Sequence, residues 1–169
     1  MSRIFISYRR KDSNFGTDRI YDVLSQRFGK DAIFRDVAQI RYGDDFQMRI
    51  NTALSQCQVL IVVIGEAWLH AKDDYGDRRL DNPGDLVRLE VEAALERGIL
   101  VIPVLINNAK MPRPADLPSS LQPLASRNAA HVRAYPDFDS DMERLGQALQ
   151  DHFDDLSRPQ VLRVKTAPE

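Results

Sequence analysis

The chain has 169 residues, of which 43% are hydrophobic and 28% are charged, and its formal net charge is −2. This length predicts one domain with a hydrophobic core of its own. The near-neutral charge argues against a protein that mainly binds nucleic acid or an anionic membrane, because proteins that bind either of these polyanions usually have a strong excess of basic residues. The hydrophobic content excludes disorder for most of the chain.

Short apolar runs rich in β-branched residues alternate with segments of helical period along the sequence. The predicted strands are residues 3–8, 32–34, 59–64, 100–105 and 129–132. The predicted helices are residues 17–28, 46–54, 85–97 and 140–153, with a shorter one at 117–125. This alternation, together with the continuously apolar strands, predicts an α/β fold in which helices cover both faces of a five-stranded parallel sheet.

Two connections and the end of the chain lack this periodicity. Residues 71–84 are rich in Asp, Arg and Gly and predict a long polar loop, which in a compact domain is usually functional or mobile. Residues 107–118 contain three prolines and predict a stiff connection. Asp44 and Asp45 are expected in the first turn of the second helix. We assign residues 1–153 to the domain and 154–169 to a C-terminal linker or tail, in which residues 161–164 could add a strand.

Several kinds of chemistry have no support in the sequence. Cys57 is the single cysteine, which excludes an internal disulfide and indicates a reducing, cytoplasmic setting. The three histidines lie far apart, so no metal site is expected, and no cofactor is expected either. Glycine-rich dinucleotide motifs, P-loops, the G-x-S-x-G elbow and the acidic residues of receiver domains are missing. The longest apolar run, residues 59–64, is too short to span a membrane, and the N-terminus has no signal-peptide pattern.

Polar and aromatic side chains follow the first three predicted strands. These residues are Tyr8, Arg9 and Arg10, then Arg35 and Asp36, and then Gly65, Glu66 and Trp68. Ligands of open α/β sheets bind outside the carboxyl ends of the strands, and arginines with aromatic rings suit phosphates and flat ring systems. The alternative is that both arginines of the first group are solvated and that the tryptophan belongs to the core.

The helix at residues 85–97 carries a carboxylate of interest. At about 100° per residue, Val87 and Val91 face the sheet, whereas Glu92 points away from it. Glu90 lies on the flank between these two faces, and the polar loop 71–84 leads into the start of the same helix. From the spacing alone, Glu90 is either a functional carboxylate or a solvated one.

Four segments together resemble Toll/interleukin receptor (TIR) domains. Residues 5–13 (FISYRRKDS) resemble the first signature box, and residues 33–36 (IFRD) with 40–46 (IRYGDDF) resemble the second box and its BB loop. Residues 85–95 (DLVRLEVEAAL) and 101–105 (VIPVL) resemble the glutamate-bearing helix and the fourth strand of the bacterial members. The resemblance spans nearly the whole chain and implies the flavodoxin-like, doubly wound TIR fold.

The resemblance also implies cleavage of NAD⁺. Many bacterial, plant and axonal TIR domains hydrolyse the nicotinamide–ribose bond, and some cyclise the product to cyclic ADP-ribose or an isomer. The family's essential glutamate corresponds to Glu90. The positions that line the family's nucleotide cleft correspond to Tyr8, Arg9, Arg10, Asp36, Gly43, Phe46 and Trp68. The implied protein is a bacterial NAD⁺ nucleosidase in immune or stress signalling, for example in antiphage defence.

A single carboxylate suits this reaction, because nicotinamide leaves as a neutral molecule, whereas glycosidases generally protonate an alkoxide leaving group. A non-catalytic TIR adaptor, which acts through TIR–TIR association, is the alternative. Both can hold, since the family's active sites are often completed across two protomers. The implied partners are NAD⁺, further TIR domains and an upstream activator or sensor, without nucleic acid or membrane.

Overall fold

The structure is a computed structural model that describes residues 3–35 and 42–159, without the side chains of residues 12–15. Asp36 and residues 160–169, including the strand considered there, lie outside the described residues. In the described part of the chain, no helix is long and apolar enough to cross a membrane.

Strands and α-helices alternate along the described chain as predicted, except between β4 and β5, where only 3-10 helices occur. The strands are β1 (Ile4–Ser7), β2 (Ile33–Phe34), β3 (Val59–Ile64), β4 (Leu100–Leu105) and β5 (Ala130–His131). The α-helices are α1 (Arg10–Phe28), α2 (Phe46–Ser55), α3 (Leu86–Arg97) and α4 (Phe138–Ser157). Short 3-10 helices occupy Lys30–Ala32, Arg79–Asp81, Pro114–Asp116 and Ser119–Ser126.

The strands form one parallel sheet in the order β2-β1-β3-β4-β5. Ile4 of β1 pairs with Ile33 of β2 on one side and with Val59 of β3 on the other. The strand order therefore reverses between β1 and β3, and in doubly wound sheets a ligand crevice opens at the carboxyl ends of the strands at such a point. This topology confirms the predicted α/β fold.

Helices cover both faces of the sheet. Side chains alternate between the faces along each strand, so the apolar residues of the strands project from both faces and are buried by helices on each side. Phe5 and Leu60 lie on the face that packs against α2 and α3. Ile4 and Ile61 lie on the face that packs against α1 and α4. All six residues of β3 are buried, which explains its continuous apolar run. Full burial of each such side chain stabilises the fold by about 1.5–3 kcal/mol.

Two helices are longer than the sequence predicts. Helix α1 begins at Arg10 rather than at residue 17. Residues 10–16 are charged or polar apart from Phe15 and Gly16, so they show no apolar periodicity. A Cβ atom at Gly16 would lie 3.1 Å from Cδ1 of Ile106, so a larger residue there would require that side chain to shift slightly. Helix α4 extends beyond its predicted bounds at both ends, to Phe138 and Ser157.

Two other local predictions need correction. The helix predicted at 117–125 is the 3-10 helix Ser119–Ser126, which contains Pro123; proline removes a backbone donor and disrupts an α-helix. Asp44 and Asp45 precede α2 instead of lying in its first turn. Asp45 is the N-cap, and its Oδ1 accepts hydrogen bonds from the backbone N–H groups of Gln47 at 2.8 Å and Met48 at 3.3 Å.

Candidate active site

A cleft of about 980 Å³ opens at the carboxyl ends of β1 and β3, where the strand order reverses. Three segments that are far apart in sequence supply most of its wall. They are residues 8–11 after β1, residues 42–46 at the start of α2, and residues 71–87, which comprise the polar segment 71–84 and the start of α3. Ala67, after β3, and Glu90 of α3 also line it. The cleft thus lies where this sheet topology favours a ligand.

Glu90 is a buried carboxylate on a helix that is fixed at both ends. Asp85 caps the N-terminus of α3 through a 3.2 Å hydrogen bond from the backbone N–H of Arg88. Gly98 ends the helix in the left-handed conformation, with φ of 66°. Val87 and Val91 pack into the core on either side of Glu90, which is 9% exposed and lines the cleft. The sequence placed Glu90 on the flank of the helix, and the structure turns that flank toward the cleft.

Arg9 forms a buried ion pair with the same N-cap residue. Its Nη1 and Nη2 donate to the two carboxylate oxygens of Asp85 at 3.0 Å and 2.8 Å, and both side chains are less than 10% exposed. The Nε of Arg9 donates to the carbonyl oxygen of Trp68 at 3.2 Å. Although Arg9 lines the cleft, its guanidinium is thus engaged by protein groups on two segments. Asp85 was not identified from the sequence as a site residue, although its place before an apolar helix marks it as an N-cap.

Four other residues singled out from the sequence line the cleft, and they come from two segments: Tyr8 and Arg10 after β1, and Gly43 and Phe46 near the start of α2. Phe46 is half-exposed, and its neighbour Tyr42 is fully exposed at the same cleft. Gly43 has a φ of 87°, a conformation that favours glycine, so it allows the turn that brings these rings to the cleft. The aromatic rings offer flat surfaces for a ligand.

The remaining residues singled out after the strands lie elsewhere. Trp68 is fully buried in the core cluster that also contains residues of α2 and α3, and it is not among the residues that line the cleft. Gly65 and Glu66 line a separate cavity of about 280 Å³. Arg35 pairs with Asp18 of α1 and lies over the ring of Tyr21. Asp36 lies outside the described residues.

The polar segment 71–84 is a folded hairpin rather than an open loop. Lys72 and Arg78 form an antiparallel bridge, and the backbone N–H of Arg79 donates to the carbonyl oxygen of Ala71 at 2.8 Å. At the tip, Oδ1 of Asp73 accepts hydrogen bonds from the backbone N–H groups of residues 75 and 77 at 2.9 Å and 3.0 Å. These bonds give the segment a defined backbone path along the cleft.

The hairpin is also fastened to the rest of the domain. Leu80 is fully buried in the core beneath it. Arg78 binds both carboxylate oxygens of Asp81 at 3.0 Å and 2.6 Å and donates to the carbonyl oxygen of Asp116 at 2.6 Å. The hydrogen bond from Arg78 holds the pKa of the Asp81 carboxyl below its ordinary value. Arg88 of α3 donates to the carbonyl oxygen of Leu80 at 3.0 Å. The hairpin is therefore a preformed wall.

This wall brings two cations to the cleft that sequence reasoning missed, Lys72 and Arg79. The Nε of Arg79 donates to the carbonyl oxygen of Lys72 at 3.2 Å, which fixes the plane of its guanidinium. Within the described residues, Arg79 forms no salt bridge. Arg10 and Lys11 line the cleft as well, and these four side chains are called the basic lining. The cleft also holds the carboxylates of Asp44, Asp73, Asp85 and Glu90. No group of three or more His, Cys, Asp and Glu side chains in the described ranges is placed to hold a metal ion.

Comparisons with known proteins agree with this architecture. A family model described as "TIR domain" matches residues 4–148. Among solved structures, the chain is similar to the TIR domains of the activated Roq1 resistosome, which directly recognises the pathogen effector XopQ. The TM-score is 0.57 at 11% identity, and the match covers 90% of this chain and 99% of that one. At 11% identity, this similarity shows only that the two proteins share a fold. No curated protein matches the sequence.

Proposed function

This chain belongs to the TIR-domain family, and we propose that it cleaves NAD⁺ at the bond between nicotinamide and ribose, with Glu90 as the catalytic carboxylate. The observation that carries the proposal is the buried position of Glu90 in a cleft whose lining includes the cations Arg10, Lys72 and Arg79 and the rings of Tyr8, Tyr42 and Phe46. The carboxylates of Asp44 and Asp73 also line the cleft, and that of Asp85 is paired with Arg9. NAD⁺ combines an anionic pyrophosphate with two flat ring systems and one cationic reacting centre. The cleft offers a complementary group for each of these parts.

Glu90 acts in this proposal by stabilising positive charge. When the C1′–N bond breaks, its electron pair neutralises the pyridinium ring, and nicotinamide leaves without needing a proton. The ribose gains oxocarbenium character, which a buried carboxylate stabilises because charge interactions are strong where water is excluded. Water then adds at C1′ and loses a proton to give ADP-ribose. Attack by a ring nitrogen of the adenine at the same carbon gives cyclic ADP-ribose or one of its isomers instead.

The basic lining binds the pyrophosphate, and the aromatic residues contact the rings. We assign the pyrophosphate to Arg10, Lys72 and Arg79, because the guanidinium of Arg9 is engaged by Asp85. We assign the rings to Tyr8 and Phe46, with Gly43 permitting the turn between them and the cleft. Trp68 supports the cleft wall from the core. Asp36 stays a predicted substrate contact.

A signalling role and self-association complete the proposal. Tyr42, Phe46 and Met48 are exposed apolar side chains that cluster in sequence at the start of α2, and they offer a surface for a second TIR domain. The structural neighbour belongs to a resistosome, which is an assembly. In this proposal, the product is a signal in a bacterial immune or stress response, and a separate activator or sensor turns on cleavage in the cytoplasm.

The test is release of nicotinamide from NAD⁺ by concentrated protein, compared between wild type, Glu90→Gln and Glu96→Gln. Glu96 lies on the same helix but is exposed and outside the cleft, so it is a matched control. We expect Glu90→Gln to lower the rate at least about 100-fold, as expected for a group that stabilises transition-state charge, and Glu96→Gln to leave it unchanged. Equal release by wild type and Glu90→Gln would remove Glu90 from the reaction. No release by wild type, even when clustered on a surface, would support the adaptor.

A further inference from the structure

We propose that Arg9 and Asp85 form a clamp that positions the Glu90 helix, so that Arg9 acts on catalysis through Asp85 instead of by binding substrate phosphate. This inference rests on the proposed function of Glu90. It concerns two residues whose spacing in the sequence gives no hint of a shared role, since 76 positions separate them.

The geometry of the pair is that of a fixed link. Two hydrogen bonds, of 3.0 Å and 2.8 Å, join the guanidinium of Arg9 to both carboxylate oxygens of Asp85. A bidentate pair of this kind fixes orientation as well as distance. The side chains are 7% and 6% exposed, so solvent screens the interaction little. The two residues therefore hold each other in one relative position.

The clamp joins the segments that build the cleft. Arg9 occupies the N-cap position of α1, two residues after the end of β1, and its Nε donates to the carbonyl oxygen of Trp68, four residues after the end of β3. Oδ2 of Asp85 accepts from Arg9 and also from the backbone N–H of Arg88 in the first turn of α3. One carboxylate thus caps the helix and ties it to the ends of two strands.

Glu90 is five residues beyond Asp85, which is about one and a half helical turns. A change in the position or tilt of the first turn of α3 therefore moves the Glu90 carboxylate relative to a ligand in the cleft. Catalysis is sensitive to such changes, because misplacement of a reacting group by about 1 Å can lower a rate about 100-fold. The clamp thus controls the rate of the chemical step more than the binding of the substrate.

The chain supplies a matched control for this pair. Arg133 binds both carboxylate oxygens of Asp141 at 2.9 Å and 2.8 Å, and the backbone N–H of Arg133 donates to the same carboxylate at 3.0 Å. Asp141 is 3% exposed but belongs to α4, and neither residue of the pair lines the cleft. Asp141→Asn therefore removes the same type of interaction without touching the link to Glu90.

The experiment compares Asp85→Asn, Arg9→Met, the double variant and Asp141→Asn. Asparagine caps helices as well as aspartate does, so Asp85→Asn removes the charge and keeps a cap. We expect kcat for NAD⁺ to fall about 10- to 100-fold in both single variants, with KM and the calorimetric Kd for ADP-ribose changed less than about threefold. The double variant should be no slower than the slower single variant, because the two residues act as one unit. Asp141→Asn should keep the wild-type kcat.

Trp68 is the single tryptophan of the chain and gives a readout that does not depend on activity. Because Arg9 holds its carbonyl oxygen, loss of the clamp should shift Trp68 emission to the red in Asp85→Asn and Arg9→Met, but not in Asp141→Asn. If wild type does not cleave NAD⁺ while this pattern holds, the proposed function fails and the clamp stands as a structural link.

Three results would overturn the clamp. Loss of ADP-ribose binding in Arg9→Met with normal binding in Asp85→Asn would make Arg9 a substrate ligand. A wild-type kcat in a folded Asp85→Asn variant would reduce the pair to a stabilising contact. Unchanged Trp68 emission in both clamp variants would show that the pair does not hold the segment after β3.

Discussion

Truncation of Arg79 to alanine should weaken substrate binding and leave the chemical step unchanged. Arg79 lines the cleft from the preformed hairpin, and its Nε is already bound to the carbonyl oxygen of Lys72. The guanidinium has five N–H donors, so four remain for a ligand. A pyrophosphate oxygen that accepts one or two of them forms charge-assisted bonds, which are stronger than neutral ones.

The expected loss of binding affinity in Arg79→Ala follows from the strength of these bonds. A hydrogen bond to a charged group contributes about 1.5–3 kcal/mol, which corresponds to about 10- to 150-fold in a dissociation constant. Arg79→Ala should therefore raise KM for NAD⁺ and the Kd for ADP-ribose by about that factor, with kcat within about twofold of wild type. Stability should change little, because the side chain makes only one hydrogen bond with the described residues.

The assay combines steady-state nicotinamide release with calorimetric titration of ADP-ribose. Nicotinamide riboside, which lacks the pyrophosphate, is the contrasting substrate, and its cleavage should be the same in wild type and Arg79→Ala. Arg127→Ala removes an exposed arginine away from the cleft and serves as the control. An Arg79→Ala variant that binds ADP-ribose as tightly as wild type would refute the assignment of the pyrophosphate to the hairpin.

Three further predictions concern stability and reactivity. Leu80→Ala should lower the free energy of unfolding in urea by about 2–5 kcal/mol, because the side chain is fully buried; Tyr75→Ala, in the exposed part of the same hairpin, should change it by less than about 0.5 kcal/mol. The hydrogen bond from Arg133 lowers the pKa of Asp141 to about 2, so the pair stabilises the fold above the ordinary carboxyl range and this contribution is lost as the pH falls toward 2. The stability difference between wild type and Asp141→Asn should therefore shrink between about pH 4 and pH 2, and a constant difference would contradict the ion-pair origin. Burial raises the pKa of the Cys57 thiol to about 11, so a thiol reagent at pH 8 should modify the native protein more than about 100-fold slower than the unfolded chain, and equal rates would contradict its burial.

The parts of the fold that follow a local rule could be predicted from the sequence. The bounds of β3 and β4 match the prediction residue for residue, because a strand covered on both faces is continuously apolar. The place of the cleft follows from the rule for strand ends, since Tyr8 and Arg10 lie within three residues of the end of β1. Glu90 could be placed on the flank of its helix because the apolar period of α3 is regular.

The parts that depend on distant contacts could not be predicted in this way. From the sequence, Arg9 is only a cation that follows a strand. Its pairing with Asp85 depends on the fold, because 76 positions separate the two residues. Trp68 is equally suited to a core or a cleft, and its complete burial is decided by neighbours from several elements. Lys72 and Arg79 belong to a segment whose composition indicates only a polar loop. Their role in lining the cleft depends on the hairpin bridge and on the burial of Leu80.

The reach of Arg9 has a consequence for how the protein folds. Its guanidinium connects residues that are 59 and 76 positions away along the chain, and both loops close only when β1, β3 and α3 have come together. Contacts of such long range form slowly, because the chain entropy of closing the loops is lost before the contacts can stabilise the product. During refolding, the helical circular dichroism signal should therefore return before the proposed cleavage of NAD⁺ does. Recovery of activity would mark the moment at which the distant parts of the sheet have assembled.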